Sequence, residues 1–328
     1  MKNYKKIRVG VFCGGSSSER KISLLTGEQV AKALVSKGYI VYIICIESDG
    51  RWIISLDKKS NKKEIVVEKI NEYIDVAFLA LHGKYGEDGT IQKLLDEHNI
   101  IYTGSGPEAS ALGMNKEECS RKISLYGIHT PKTIIYEKTL ETVKKKIYDS
   151  IGFPCIIKPN ASGSSVGITL VKEESELETS MREAQKEGEK ILIQEYIRGR
   201  EFSCGVLGNR EFEKFALPVV EICPKNHEFF DYEAKYQKGE TDEICPAKIE
   251  ESISNEIQCL AKKVHELLGC DGLTRSDFIV DSLGNIFFLE INTIPGQTQT
   301  SLCPKEAFAL GWSFSDFIIK QIELAFKK

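Results

Sequence analysis

Short apolar runs and segments of helical periodicity alternate along the N-terminal third of the chain. Residues 7–13 form a β-branched apolar run, a turn rich in Gly and Ser follows at 14–18, and apolar residues then recur at helical spacing up to Gly38. Strand-sized apolar runs return at 41–46 and 76–81. Strand, glycine-rich turn and helix in this order predict an α/β unit with buried strands.

The rest of the chain pairs strands with charged helices. A boundary is predicted at residues 103–107, where Gly, Ser and Pro cluster. The hydrophobic pattern predicts a short helix from Thr90, a helix from Lys116 to near Gly127, helices at about 138–150, 172–189, 250–268 and 312–326, a strand, loop and strand within 155–171, and strands at 191–197 and 201–207.

Residues 275–292 contain two β-branched and aromatic runs joined by a short turn at Leu283 and Gly284, which predicts a hairpin. Side chains alternate between the two faces of a strand, so one polar and one apolar face are expected. The polar face carries Arg275, Asp277, Glu290 and Asn292, with Asp277 opposite Glu290 and Arg275 opposite Asn292. The apolar face, predicted to be buried, carries Phe278, Val280, Phe287, Leu289 and Ile291.

The polar face of this hairpin has the composition of a hard-cation site. Two carboxylates and a carboxamide supply the oxygen ligands that Mg²⁺ prefers, particularly with phosphate as a further ligand. Arg275 beside them is suited to a transferring phosphoryl group or a developing oxyanion. The alternative is a solvated face with cross-strand charge pairs, and the hairpin alone leaves both interpretations open.

Loops that follow predicted strands carry further candidate residues. Lys158 precedes a Ser/Gly loop at 162–165, and backbone N–H groups, hydroxyls and a point charge favour phosphate binding over a plain turn. His82 follows a buried strand at the end where α/β sheets place ligands, although a bond to the backbone would also explain it. Ser16 and Glu19 fit a helix capping box, so the local pattern favours capping for Glu19.

Composition narrows the class of protein. A chain of 328 residues predicts two or three compact units. The net charge of −4, without a basic block, gives no support for nucleic-acid binding. The longest apolar runs are too short for a membrane span or a signal sequence. Ten cysteines without a C-x-x-C pair argue against a zinc cluster or a dithiol motif and fit a reducing cytoplasm.

Taken in order, the motifs closely resemble those of D-alanine–D-alanine ligases of the ATP-grasp superfamily. The matching motifs are Ser18–Leu24, Leu81–Gly83, Gly86–Gly89, Lys158-Pro159, Gly163–Gly167, Tyr232–Tyr236, Arg275–Asp277, Glu290–Thr293 and Pro295-Gly296. The resemblance implies an α/β fold, α+β in part, with three domains: an N-terminal open parallel sheet and two domains whose antiparallel sheets hold ATP between them. The expected domains are 1–106, for substrate binding, 107–197, the central ATP-grasp domain, and 198–328, the catalytic domain with a mobile loop at about 226–244.

The resemblance also implies an activity. The carboxylate of one D-alanine attacks the γ-phosphate of ATP to give an acyl phosphate, and the amine of a second D-alanine then displaces phosphate. The product, D-alanyl-D-alanine, is a precursor of peptidoglycan. ATP and two Mg²⁺ or Mn²⁺ ions are implied as cofactors, with K⁺ as an optional ion. A cytoplasmic homodimer is expected, with neither nucleic acid nor a membrane as a partner.

Each implied role belongs to residues that match a family motif. The metal ligands are Asp277, Glu290 and Asn292. The nucleotide-binding residues are Lys116, Lys158, Ser165, Glu195, Ile197, Glu201 and Lys235, and the residues that bind the two D-alanines are Glu19, His82, Ser301 and Leu302. Arg275 and the N–H of Gly296 form the oxyanion site, and Glu19, Ser164 and Tyr236 form a hydrogen-bonded triad that closes the loop. Glu19 is therefore expected to do more than cap a helix.

Two positions depart from the family pattern. Gln297 stands where Met or Phe is usual, and Asn160 stands where Ser is more usual. Gln297 is predicted to lie near the second-substrate pocket, which keeps D-serine, D-lactate or another amino acid open as the acceptor. The stretch 233–236 matches the D-alanine type, whose tyrosine the lactate-forming relatives lack. A catalytically silent ATP-binding regulator is the alternative class, but drift to such a protein should first erase the metal ligands or the oxyanion arginine, and all four residues of the polar face are present. A simple amino-acid-binding module would not need that face at all.

Overall fold

The computed structural model describes residues 7–56, 62–136, 139–161, 167–225 and 241–328. Its strands are β1 (Arg8–Gly14), β2 (Ile40–Ile46), β3 (Trp52–Ser55), β4 (Lys63–Ile65), β5 (Val76–Leu79), β6 (Thr133–Ile135), β7 (Cys155–Pro159), β8 (Thr169–Val171), β9 (Ile191–Glu195), β10 (Gly199–Gly208), β11 (Phe215–Ala216), β12 (Val220–Pro224), β13 (Thr241–Ile244), β14 (Gly272–Asp281) and β15 (Ile286–Asn292).

Helices connect and cover these strands. They are α1 (Arg20–Ser36), α2 (Thr90–Glu97), α3 (Pro107–Met114), α4 (Lys116–Ser124), α5 (Leu140–Ser150), α6 (Leu177–Glu187), α7 (Glu251–Leu267), α8 (Leu302–Ala309) and α9 (Phe314–Ala325), with 3₁₀ turns at Val67–Glu72 and Glu174–Glu176. The helices predicted from the hydrophobic pattern are confirmed, whereas α3 and α8 were not predicted. Along the described stretches, no helix combines the length and the apolar character needed to cross a bilayer.

The first sheet is parallel only at its centre. Its strand order is β4-β3-β2-β1-β5, with β2, β1 and β5 parallel and the edge strands β3 and β4 antiparallel. The prediction of an open parallel sheet is therefore right for the core strands and wrong for this edge. The reason is local: a tight turn, closed by a 2.8 Å bond from the Glu47 N–H to the Arg51 carbonyl, returns the chain as a hairpin without a crossover helix.

Two antiparallel sheets follow. The second has the order β6-β9-β7-β8, and Ile157 and Ile193 pack with Val143 of α5 and Met181 of α6 in its core. The third has the order β13-β12-β10-β14-β15, with β11 paired to β10. Helices α3, α4 and α7 contribute to the core behind this third sheet, which includes Phe202, Phe278 and Phe288.

The hairpin β14–β15 has the predicted register at its polar end and a different one nearer its turn. Asp277 lies opposite Glu290 and Arg275 opposite Asn292, but the register shifts between Asp277 and Phe278. This shift exchanges the two faces of β15 in its part nearer the turn, so Phe288 is buried there. Phe287 and Leu289 are only partly buried, and the prediction that they belong to the buried face was wrong. A bulge of this kind has no reliable hydrophobic signature.

The two ends of the described chain pack together. Phe317 and Ile322 of α9 share a core with Val30 and Leu34 of α1 beneath the first sheet. The chain's last helix therefore covers its first α/β unit. The domain boundaries at 106 and 197 remain predictions.

Candidate active site

A cleft lies between the second and third sheets, and we call it the inter-sheet cleft. It is lined by Pro131, Ile156, Lys158, Ile168, Gln194, Glu195, Tyr196, Ile197, Glu201, Asp277, Ile279, Leu289 and Glu290. The structure thus brings together six residues predicted to bind nucleotide or metal, from sequence positions up to more than 100 residues apart. Its lining combines apolar side chains, the segment 194–197 and charged groups, which suits a flat base joined to phosphates.

Leu289 is a lining residue that the sequence analysis missed. It was assigned to the buried face of the hairpin, and only the bulge turns it toward the inter-sheet cleft. Glu195 is held at the same cleft because its carboxylate accepts a 3.2 Å hydrogen bond from the backbone N–H of Lys132. An apolar side chain from β15 therefore faces the polar edge of β9.

Asp277 and Arg275 form a buried charge pair at the polar end of β14. The guanidinium donates from Nε and Nη2 to the two carboxylate oxygens at 2.9 and 2.8 Å. The Ser203 hydroxyl and the Asn292 amide also donate to this carboxylate. Burial would lower the pKa of Arg275, but the charge of Asp277 and its hydrogen bonds outweigh it and raise that pKa. The arginine stays charged beside the cleft.

Glu290 and Asn292 complete the oxygen-rich face of the hairpin. One Glu290 oxygen lies 3.4 Å from Nζ of Lys116. Within the described ranges, no cluster of three or more His, Cys, Asp or Glu side chains could hold a metal. The predicted metal ligands include only two carboxylates, those of Asp277 and Glu290, and the third ligand is the amide oxygen of Asn292. Such a donor set fits a hard cation that takes its remaining ligands from phosphate and water.

Asn160 explains how Lys158 and Lys116 come together. Its side-chain oxygen accepts from the Glu117 N–H at 2.9 Å, and its amide nitrogen donates to Asn115 at 2.9 Å. Its backbone carbonyl accepts from the Lys116 N–H at 3.2 Å. The asparagine therefore ties the end of β7 to the start of α4, which fixes the two lysines relative to one another.

A second cleft adjoins the first, and we call it the loop cleft. It is lined by Glu19, Ile22, Leu25, His82, Glu87, Glu243, Arg275, Glu290, Asn292, Ile294, Pro295, Gly296, Thr298, Thr300, Ser301 and Leu302. Every residue predicted to bind D-alanine is present, as is the predicted oxyanion pair. Glu290 lines both clefts, so the two clefts meet at the predicted metal face.

His82 is a neutral, buried ring in the loop cleft. Its Nε2 lies 3.2 Å from the Thr26 hydroxyl, and the ring also bonds to the backbone of Ile294. Burial lowers the pKa of His82, although the nearby Glu19 carboxylate acts in the opposite direction. A histidine held this way positions a ligand through a hydrogen bond and not through charge.

Glu87 is a second residue that the sequence analysis missed. Its carboxylate accepts a 2.6 Å hydrogen bond from the Gly83 N–H. Burial, followed by the charge of Glu19, raises the pKa of Glu87 to about 8. Glu87 belongs to the glycine-rich motif Gly86–Gly89, which is the sequence signal for its position beside the site. An ammonium group bound in this cleft would favour the ionised form of Glu87 beside Glu19, so the pair suits a cationic ligand.

Glu19 does not form the predicted capping box. It is the N-cap residue of α1 but makes no side-chain capping bond, and its N–H donates to Ser17 Oγ at 3.2 Å. An added Cβ at Gly83 would lie 2.8 Å from a Glu19 carboxylate oxygen, so the Glu19 side chain passes close to the backbone of Gly83. The Glu19 carboxylate points into the loop cleft and not back along the helix.

The far wall of the loop cleft is the start of α8. Ser301 is its N-cap, and Ser301 Oγ accepts from the Thr298 N–H at 3.1 Å. Gly296 passes close to this serine, because a Cβ added at Gly296 would lie 3.0 Å from Oγ. Exposed N–H groups at the start of a helix favour a carboxylate.

Gln297 turns out to face away from the cleft. It lies between Gly296 and Thr298, which line the cleft, but its own side chain is buried and accepts a 2.6 Å hydrogen bond from Gln321 of α9. Its location near the second-substrate pocket stays a prediction, but its side chain points toward Gln321 and does not line the loop cleft.

Four predicted site residues lie outside the described residues. These are Ser164, Ser165, Lys235 and Tyr236. Most of the predicted loop at about 226–244 also falls outside them. Of the predicted triad, the described residues include only Glu19.

Comparison with known proteins identifies relatives over the whole length of the chain. The family models described as D-ala D-ala ligase N-terminus and C-terminus match residues 8–105 and 127–323. The D-alanine–D-alanine ligase of Pelotomaculum thermopropionicum is 42% identical over 97% of this chain and 96% of its own length. That of Carboxydothermus hydrogenoformans is 39% identical over 97% and 98%.

Two solved ligase structures are similar to this chain over nearly its whole length. The D-Ala:D-Ser ligase VanG from Enterococcus faecalis superposes with a TM-score of 0.87 at 31% identity, covering 98% of this chain and 99% of its own. The D-alanine–D-alanine ligase from Coxiella burnetii has a TM-score of 0.84 at 26% identity, covering 98% and 94%.

Proposed function

The chain belongs to the D-alanine–D-alanine ligase family, and we propose that its two adjoining clefts are the active site for this ligation. The protein is an ATP-dependent ligase with the ATP-grasp fold, and it joins two D-alanines for peptidoglycan synthesis. One observation carries the assignment of the site: the inter-sheet cleft and the loop cleft meet at Glu290, beside Asp277 and Arg275. A phosphate held in one cleft would face a carboxylate held in the other.

ATP is proposed to occupy the inter-sheet cleft. The strand edge from Glu195 to Ile197 faces the adenine and Glu201 the ribose, while Lys158 and Lys116 contact phosphates. Leu289 and Ile279 contribute apolar contacts to the base. Ser165 and Lys235 are proposed as further phosphate contacts on the basis of the family motif alone. The polar edge and apolar walls of this cleft support the proposal.

The polar face of the hairpin is proposed to bind two Mg²⁺ ions, which Mn²⁺ can replace. Asp277, Glu290 and Asn292 are the protein ligands. When bound, the cations neutralise charge on the phosphates during transfer. The bonds from Arg275 and Ser203 fix the Asp277 carboxylate in place before a ligand binds. K⁺ is proposed as an optional ion.

The loop cleft is proposed to bind both D-alanines. Glu19 and Glu87 face the ammonium group of the first, and His82 orients it. The N-terminus of α8, at Ser301 and Leu302, holds the carboxylate of the second. Arg275 and the Gly296 N–H stabilise the oxyanion of the tetrahedral intermediate. No nucleophilic side chain is required, since positioning and charge supply most of the catalysis in phosphoryl transfer.

The closing loop and the assembly complete the proposal. Glu19, Ser164 and Tyr236 are proposed to close residues 226–244 over the site, which would keep water from the acyl phosphate. The protein is proposed to act as a cytoplasmic homodimer of three-domain chains. D-alanine is the proposed acceptor. Gln297 was the residue that kept other acceptors open, and its side chain is directed toward Gln321.

The test is phosphate release from Mg·ATP with D-alanine, L-alanine, D-serine or D-lactate, with the product identified by mass. D-Alanine alone should give D-alanyl-D-alanine and stoichiometric phosphate. The variant Glu290→Gln, at the junction of the clefts, should give neither. Turnover that requires a different acceptor, or full activity in the variant, would contradict the proposed site.

A further inference from the structure

Cys13 and Cys45 form a thiol pair outside the proposed active site. They lie directly opposite one another on the parallel strands β1 and β2. Neighbouring strands are about 4.8 Å apart, which is within the Cα separation of disulfides. Directly paired residues on neighbouring strands project from the same face of the sheet, so the two thiols lie side by side. Both line a third cleft, together with Ile53 and Ser55 of β3, so a small reagent can reach them.

Two charged side chains lie beside Cys45. Nη2 of Arg20 lies 3.8 Å from Cys45 Sγ and 2.7 Å from a Glu47 carboxylate oxygen. The neighbouring Cys13 thiol lowers the pKa of Cys45 to about 7, with Arg20 acting in the same direction and burial and Glu47 against it. The Cys45 side chain, followed by burial, raises the pKa of Cys13. The sulfur of Cys45 is thus the nucleophile, because the thiolate is the reactive form of cysteine.

We propose that Cys45 and Cys13 are an oxidation site at which a hydroperoxide closes a disulfide. The Cys45 thiolate attacks the peroxide oxygen, the O–O bond breaks, and Cys45 becomes a sulfenic acid while water or an alcohol leaves. The Cys13 thiol then attacks the sulfenic sulfur, the S–O bond breaks, and a second water leaves. In total, two thiols lose two electrons and two protons, and one hydroperoxide is reduced.

Arg20 connects the two cysteines to the part of the proposed active site that binds the first D-alanine. Its Nη1 donates to the carbonyls of Gly15 and Ile46 at 2.9 and 2.5 Å, and it directly follows Glu19 in the chain. A Cβ added at Gly14 would lie 3.3 Å from Cys45 Sγ, so the sulfur also packs against the loop itself. A disulfide removes the thiolate from Arg20 and draws Sγ toward Cys13. The loop that carries Glu19 then shifts, and the first D-alanine binds more weakly.

The chemical test needs no ligase assay. The full-length protein is treated with hydrogen peroxide, its remaining thiols are alkylated, and its peptides are mapped by mass without reduction. A linked Cys13–Cys45 peptide that dithiothreitol releases is expected. Cys13→Ser should stop at a sulfenic acid on Cys45 that dimedone traps, and Cys45→Ser should give neither product. Cys259→Ser, which removes an exposed thiol on α7, should behave as the unsubstituted protein. Absence of the link would overturn the proposal.

The kinetic test depends on the proposed function and is read separately. In the oxidised protein, the KM for the first D-alanine should rise by at least about fivefold, at the lower end of coupling between two sites. Dithiothreitol should restore it, and Cys45→Ser should not respond to peroxide. An unchanged KM in fully linked protein would disprove the coupling through Arg20. A chain without ligase activity would still give the linked peptide, so the two failures are distinguishable.

Discussion

Single residues in the site hold one another in place before any ligand binds. Asp277 accepts hydrogen bonds from Arg275, Ser203 and Asn292, and its side chain is almost fully buried. Glu290 has Lys116 3.4 Å away and keeps 24% of its side chain exposed. Both carboxylates are proposed to bind Mg²⁺, but Asp277 is the more buried of the two and accepts a two-pronged bond from Arg275. Loss of each should therefore affect activity alike and stability differently.

Substitution of the two carboxylates separates their roles. Glu290→Gln should lower kcat by at least about 100-fold, because it removes charge opposed to the transferring phosphate. The free energy of unfolding should fall less than in Asp277→Ala, because Glu290 is 24% exposed and glutamine keeps the shape and a hydrogen-bonding oxygen of the side chain. Asp277→Ala should also abolish turnover but cost about 3–5 kcal/mol, because it leaves Arg275 buried without its partner. Steady-state assays and urea titrations measure both quantities.

A surface variant serves as the control for this pair. Glu211→Gln changes an exposed carboxylate and should alter neither quantity. If Glu290→Gln kept near-normal activity, its assignment as a metal ligand would be wrong. If Asp277→Ala were as stable as the unsubstituted protein, the bond to Arg275 would not stabilise the fold.

Glu306 gives the protein a pH dependence that does not come from catalysis. This carboxyl is fully buried in α8, where it accepts a 3.0 Å hydrogen bond from the Gly205 N–H. Burial raises its pKa from 4.5 to about 8, although the Gly205 bond acts in the opposite direction. Between those values the folded protein holds a proton that the unfolded chain has released. The stabilisation from Glu306 is therefore complete below pH 4.5 and is lost as the pH rises toward 8.

The variant Glu306→Gln tests the direction of this pH dependence of stability. It keeps an oxygen for the Gly205 N–H but has no proton to lose. The free energy of unfolding of the unsubstituted protein should fall on the order of 1 kcal/mol per pH unit more steeply than that of the variant over this window. Urea titrations at pH 5.5, 6.5 and 7.5 measure the difference in slope. Parallel slopes would mean that Glu306 is ionised in the folded protein.

At the scale of elements, the hairpin β14–β15 shows how far the sequence could predict the site. Period-two alternation fixed the pairing of Asp277 with Glu290, because charged residues mark the face that cannot be buried. The same alternation failed at Leu289, because a bulge shifts the register within a uniformly apolar run. Glu87 was missed for a related reason: its burial depends on neighbours outside its own loop.

A matched pair of substitutions on β15 tests the bulge. Leu289→Ala should raise the KM for ATP roughly tenfold, since about 1–2 kcal/mol of apolar contact with the base is lost. Phe288→Ala removes a fully buried ring that packs edge-on to Phe278 at 5.9 Å, and should cost about 3–5 kcal/mol of stability. Leu289→Ala should cost less than half of that. The reverse ranking in stability would return Leu289 to the core and contradict the register.

At the scale of the whole molecule, local patterns predicted the elements better than their partners. Most helices and the long strands were recognised, because their periodicity is a property of neighbouring residues. The packing of α9 on α1 could not be recognised, since it joins residues almost 300 positions apart and both faces are simply apolar. The resemblance to a known family supplied roles that no pattern gives, such as those of Ser301 and Leu302.

The contact between α9 and α1 makes the first α/β unit dependent on the end of the chain. Phe317 of α9 is fully buried against Val30 and Leu34, so Phe317→Ala should cost about 3–5 kcal/mol. Phe308→Ala, in α8, truncates a ring that is 40% exposed and should cost about 1 kcal/mol or less. Because α9 also positions Gln321 against Gln297, beside the proposed acceptor site, Phe317→Ala should raise the KM for the second D-alanine at temperatures where the protein is still folded.

Thermal unfolding measures the loss of stability, and acceptor kinetics below the unfolding transition measure the change in KM. A destabilised variant with unchanged acceptor KM would show that α9 supports the fold without positioning the loop at 295–301.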